Sequence, residues 1–222
     1  MSGAPRRRFL KGQAAAFTPP QAKAFYRHPR WRAFDPARAL AATIDGSPFQ
    51  LALLDRVFGD TLGRFRWRRE DRDVWANWTQ KARLVAGKWV RLWLGDCDDF
   101  AILLLVALTK AGLPRGALRL CRCELRGRPS RDVAAQRAAG RDEAALRLGH
   151  LVLAVMTARG TLILDNRQQR PLWADDQAFR DYDFLGMEDP PAEAGAPARW
   201  VWLRPMTLHE LARRVQEGRV ER

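Results

Sequence analysis

The apolar and polar positions show little order over the first 46 residues and are strongly patterned after that. Residues 1–46 are rich in Pro, Arg and Ala, with Phe25, Tyr26, Trp31 and Phe34 scattered among them. This pattern predicts a basic, aromatic-containing arm wrapped on a domain that spans residues 47–222. "SPFQLALLDRVF" then predicts a helix. Ser47 caps it, Pro48 suits its first turn, and Leu51, Leu54 and Phe58 share one face. Residues 64–73 are densely charged and predict a loop. Trp75, Trp78, Ala82 and Val85 recur at helical spacing and predict an apolar stripe packed into the core.

The next signals are sharper. An apolar run at 100–108 predicts a central helix over about residues 96–111, stopped by Gly112 with Pro114 just beyond. "ALRLCRCEL" (117–125) alternates and predicts a strand. Residues 126–147 lack a clear period and predict an inserted loop with a short helix. "HLVLAVMTARGTLILDN" (150–166) predicts a hairpin that turns around Arg159 and Gly160. "RWVWLRP" (199–205) predicts another strand, after a Pro-rich loop at 189–198. Thr207 and Glu210 form a capping box for a last helix. No internal repeat is present. Helices followed by β segments predict an α+β fold, with an antiparallel sheet packed on the central helix.

Composition changes this picture in few places. The chain has 222 residues and a formal net charge of +14, carried mostly by arginine. Such a surface is either simply solvated or available to polyanions. The longest apolar run is too short to span a bilayer, which needs about 20 residues. Three cysteines make no disulfide framework, and Cys121 and Cys123 stand too close for an ordinary bridge. Their C-x-C spacing lacks a second ligand pair for zinc. Free thiols suit a reducing compartment. "RRRFLKG" (6–12) has the look of a twin-arginine export signal, but "QAAAFTPPQAKAF" behind it lacks the required apolar stretch. The expectation is a cytoplasmic or virion-associated protein.

The candidate chemistry lies in "GDCDDF" (95–100). Cys97 falls in the first turn of the central helix, where free N–H groups and the helix dipole favour a thiolate. His150 begins the first run of the predicted hairpin and Asp165 closes the second, so the hairpin returns one beside the other. A thiol nucleophile, an imidazole base and a carboxylate that orients it make a triad. Taken singly, each residue has a plainer reading: a packed thiol, a satisfied strand histidine, a turn-forming aspartate. Their order along the chain favours the triad, since the other histidines, His28 and His209, lie in the arm and the terminal helix.

"GDCDDFAILLLVALTKAGLP", "LRLCRCEL", "GHLVLAV" and "LILDN", in that order, resemble the bacterial transglutaminase-like cysteine peptidases of the papain-like, transglutaminase-core superfamily. The resemblance covers roughly residues 50–170. It implies a papain-like transglutaminase-core fold and a cysteine peptidase acting on a protein or peptide substrate, with Cys97 as nucleophile, His150 as base and Asp165 as its orienting partner. Water or an amine would accept the acyl group. Some members are calcium-dependent proteases of the periplasm, and in those the acidic residues flanking the cysteine bind calcium. These correspond to Asp96 and Asp98. Carboxylates suit calcium, although the same pair could act on the helix N-terminus by charge alone. No cofactor is required for the chemistry itself. The family's W-x-x-P-x-E-like stretch is replaced by "WANWTQKARLVAGKWVRLWLGDC". The Cys97 backbone N–H then supplies one oxyanion donor, and Asn77 and Gln80 are candidates for the second. A different class of function is a transglutaminase-like module of modest or no activity that serves a phage particle or a basic nucleoprotein assembly.

Overall fold

In a computed structural model of the chain, the described residues are 43–68, 78–126, 138, 147–189 and 199–206. Most of the arm, Trp75 and Asn77, nearly all of the 126–147 insertion, most of the Pro-rich loop and the helix expected from Thr207 lie outside them.

Helix α1 spans Pro48–Arg64, and Ser47 caps it by accepting from the Gln50 N–H at 3.4 Å. Its face of Leu53, Leu54 and Phe58 is buried. The charged stretch that follows is not all loop. Strand β1, Phe65–Trp67, opens it and runs parallel to a later strand. The expected helical stripe is also replaced by strand. Thr79–Val85 is β2 and Lys88–Gly95 is β3, paired antiparallel. Ala86 and Gly87, with φ of 48° and 77°, make the two-residue turn between them. Positive φ at both central residues matches the right-handed twist of the strands. The one-in-three recurrence of Trp78, Ala82 and Val85 hides a true period of two in "KWVRLWL". The sheet order is β1-β3-β2.

Helix α2 spans Cys97–Lys110, and Gly112 takes φ 98° just past its end. A short 3-10 turn, Arg115–Ala117, leads into β4, Leu118–Arg126. The predicted hairpin is formed by β5, Arg147–Thr157, and β6, Gly160–Leu164. β7 is Leu172–Trp173, β8 is Tyr182–Asp189 and β9 is Arg199–Met206. These six strands form one antiparallel sheet in the order β7-β6-β5-β4-β8-β9. The fold is thus mixed α+β. β8 escapes the sequence pattern because its register slips at Leu185, between the pairs Cys123–Phe184 and Arg122–Gly186. The bulge breaks the period of two.

The large sheet carries apolar side chains on both faces. Leu118, Leu120, Leu151, Leu153, Val155, Leu162 and Leu164 pack with Phe100, Leu104 and Leu108 of α2. Cys121, Cys123, Val152, Ala154, Ile163, Tyr182 and Phe184 form a second cluster on the other face. Phe100 also meets the rings of Phe58 and Phe65 edge-on at 5.9 and 5.0 Å. That contact ties α1 and β1 to the start of α2. Ile44, near the end of the expected arm, joins the sheet through a parallel bridge to Thr157. Among the described residues no helix is long and apolar enough to cross a membrane.

Candidate active site

α2 starts at Cys97 because Asp96 is extended, with φ −110° and ψ −154°, and its carbonyl accepts the first helical bond from Phe100 N–H at 3.1 Å. The amides of Cys97, Asp98 and Asp99 therefore have no intrahelical partner. Asp98 and Asp99 are buried in this first turn. Gly95 is the residue the entry demands, since a Cβ there would run into the Asp99 carboxylate.

The β5–β6 hairpin shapes the space in front of the thiol. Thr157 and Gly160 close its two-residue turn, so the amides of residues 157, 155, 153 and 151 point toward β6 by alternation. β6 leaves the ladder at Leu164, opposite Leu153. The next inward amide, Leu151 N–H, is left without a strand partner. Its backbone instead acts on the Cys97 sulfur, as the one influence that lowers that thiol's pKa.

His150 precedes Leu151, so by alternation its ring lies on the opposite face, with the second apolar cluster. Asp165 follows β6 directly, and His150 Nε2 lies 2.9 Å from Asp165 Oδ1. Two further donors hold that carboxylate: Tyr182 OH donates to Oδ2 at 2.5 Å, and the Arg167 backbone N–H donates to Oδ1 at 3.0 Å. The Tyr182 ring also stands edge-on to the His150 ring at 6.0 Å. His150 is thus pinned at Nε2, with Nδ1 as its second ring nitrogen. Cys97 comes from the α2 side of the sheet, and the Asp165 charge is felt at its thiol. Sequence reasoning missed Tyr182. The available signal was the alternation of Tyr182 and Phe184, the former one of only two tyrosines in the chain.

The electrostatics oppose ionisation of the thiol. Burial, then the charges of Asp96 and Asp98, push the Cys97 thiol well above its ordinary pKa, and the bond from Leu151 only partly offsets them. Burial and the two carboxylates thus work against the thiolate that the helix N-terminus favours. Burial raises Cys121 and Cys123 as well. Asp165 moves the other way. Burial alone would raise it, but the His150 charge and the bonds from His150, Tyr182 and Arg167 hold it below the usual carboxylate range. Burial and the Asp165 charge push the Tyr182 hydroxyl up, so it remains a donor.

Ligand atoms of Asp96, Cys97 and Asp98 lie within 4.8 Å of one another. Asp96 Oδ1 is buried without a hydrogen-bond partner among the described residues. Gln80, a candidate oxyanion donor, stands exposed on β2 opposite Trp93.

No protein-family model matches the chain, and no curated protein matches it. Solved structures similar to it include Legionella pneumophila LapG in three states. The calcium-bound form has 20% identity and a TM-score of 0.43 over 73% of each chain. LapG itself has 18% identity and a TM-score of 0.44, over 80% of this chain and 81% of the other. The EGTA-treated form has 22% identity and a TM-score of 0.40 over 64% of each chain. Values this low leave the function to be argued from the chain's own residues.

Proposed function

We propose that the protein is a cysteine peptidase of the papain-like, transglutaminase-core type, acting on a protein substrate through Cys97, His150 and Asp165. One observation carries the reading. His150 Nε2 is fixed by Asp165 at 2.9 Å, and the residue after His150, Leu151, acts through its backbone on the Cys97 sulfur. His150 Nδ1 would take the thiol proton as the sulfur attacks an amide carbonyl. The C–N bond then breaks, and the imidazolium returns the proton to the leaving amine. Water attacks the thioester and releases the acid. Asp165 stabilises the imidazolium and sets the ring orientation. The Cys97 N–H, with no intrahelical partner at the helix start, is the oxyanion donor the backbone offers.

Calcium fits the Asp96 and Asp98 carboxylates. They are hard oxygen donors, and Asp96 Oδ1 is buried with no hydrogen-bond partner among the described residues. A bound cation would offset the two negative charges beside the thiol. The Cys97 sulfur, a soft donor, is not a ligand calcium prefers. The test is covalent labelling and amide hydrolysis. Wild-type protein should lose both in Cys97→Ala, and hydrolysis that persists in Cys97→Ala rejects the reading.

A further inference from the structure

The β2–β3 hairpin carries charge of one sign. Residues 79–95 contain Lys81, Arg83, Lys88 and Arg91 and no acidic residue. Its two faces differ. The pairs Lys81–Leu92 and Arg83–Val90 lie on one face, and Gln80–Trp93, Ala82–Arg91 and Leu84–Trp89 on the other. Leu84 and Trp89 are 55% and 73% exposed. A cross-strand Leu–Trp pair left this open has no core to serve.

Among the described residues β2 is the edge strand of its sheet. The closing pair at the turn is Val85–Lys88, so residues 85, 83, 81 and 79 spend their backbone groups on β3. Those of Gln80, Ala82 and Leu84 point outward. Their spacing is that of a ladder, which another extended peptide backbone matches and a phosphate chain or a lipid headgroup does not.

We propose that the β2 edge binds an extended acidic polypeptide by strand addition. Acidic residues of the added strand face Lys81 and Arg83, and apolar residues alternating with them cover Ala82 and Leu84. The ladder lies near the thiol. Thr79, at the base of β2, pairs with Leu94, three residues before Cys97. A strand added beyond β2 lies about 10 Å from β3, two strand spacings away. Taken with the peptidase reading, on which this step rests, the hairpin selects substrates with an alternating acidic and apolar segment next to the cleaved bond.

The experiment uses the full chain carrying Cys97→Ala, so that binding is read without chemistry. The probe is a fluorescein-labelled peptide of about ten residues alternating Asp and Val, followed by fluorescence anisotropy. It should bind, weaken with salt, and outcompete a peptide of the same composition with its Asp and Val in blocks. Ala82→Pro removes an outward N–H and leaves the β2–β3 ladder intact. It should weaken binding about tenfold. Lys81→Glu with Arg83→Glu should weaken it further, with unchanged circular dichroism and melting in both variants. Equal binding of the blocked peptide, or no effect of Ala82→Pro, overturns strand addition. Duplex DNA or anionic vesicles that bind at this hairpin more tightly than the peptide would replace the polypeptide as its ligand. Cleavage failing in the wild type while this binding holds counts against the peptidase reading alone.

Discussion

Two buried charge networks meet at β8, and they are built for different ends. Near its C-terminal end, Glu188 takes the Arg115 guanidinium on one oxygen and the Leu120 backbone N–H, at 3.1 Å, on the other. At its start, Tyr182 holds Asp165, which holds His150. Both are sealed from water, and both satisfy their carboxylates with several donors. Arginine cannot give up its proton in a protein, so the first network has one charge state and serves as a clamp. Histidine can, and in the proposed function the second network serves the Cys97 thiol. Sealing a carboxylate therefore does not mark a function. Pairing it with a group that can exchange a proton beside a nucleophile does.

The comparison can be broken in order of effect. Cys97→Ala should remove hydrolysis altogether, a loss on the order of 10⁶-fold in comparable triads, while the melting temperature stays near that of wild type. Asp165→Asn should keep the geometry but leave the wrong tautomer, lowering kcat by up to about 10⁴-fold with little change in KM. Arg115→Met should do the reverse. It strands the Glu188 charge, costs about 3–5 kcal/mol in urea unfolding, and spares the rate per folded molecule. Tyr182→Phe should be the mildest. Losing one donor to Asp165 Oδ2 lowers kcat about tenfold, and a larger loss in stability than in rate would make Tyr182 part of the clamp instead.

Acid sharpens the same contrast. Asp165 is held below the usual carboxylate range in the folded chain, so between its folded and unfolded values the unfolded state binds the extra proton. Its contribution to stability is complete above about pH 4, the ordinary aspartate range. It is lost as pH falls through the lowered folded value. Melting temperatures recorded against pH should therefore fall less steeply in Asp165→Asn than in wild type over that acid window. Parallel curves would show that His150 and Tyr182 do not hold the carboxylate in its charged form.

What the sequence shows and what it hides divide along physical lines. Local signals are plain: the Ser47 cap, the Gly112 stop, the alternation of β4, and the turn at Arg159 that brings Asp165 back toward His150. The β2–β3 hairpin is hidden because Trp75, Trp78, Ala82 and Val85 fall by chance at helical spacing, and Ala-Gly is a weaker turn signal than Asn-Gly. β8 is hidden by the bulge at Leu185, and Tyr182 goes with it. Cys97 stands out by position, and the carboxylates flanking it are legible as charges that oppose a thiolate. The burial that adds to them shows only in the packing.

β6 stops at Leu164, and that termination has a consequence for engineering. The berth for the sulfur is an omission: one rung that the ladder does not build. Continuing β6 by two residues along β5 would give Leu151 an ordinary partner and close the berth, with every core leucine still in place. Hairpin length is then a dial set through Asp165 and Asn166, the two residues a longer strand would take in, so closing the berth and moving the Asp165 carboxylate would go together.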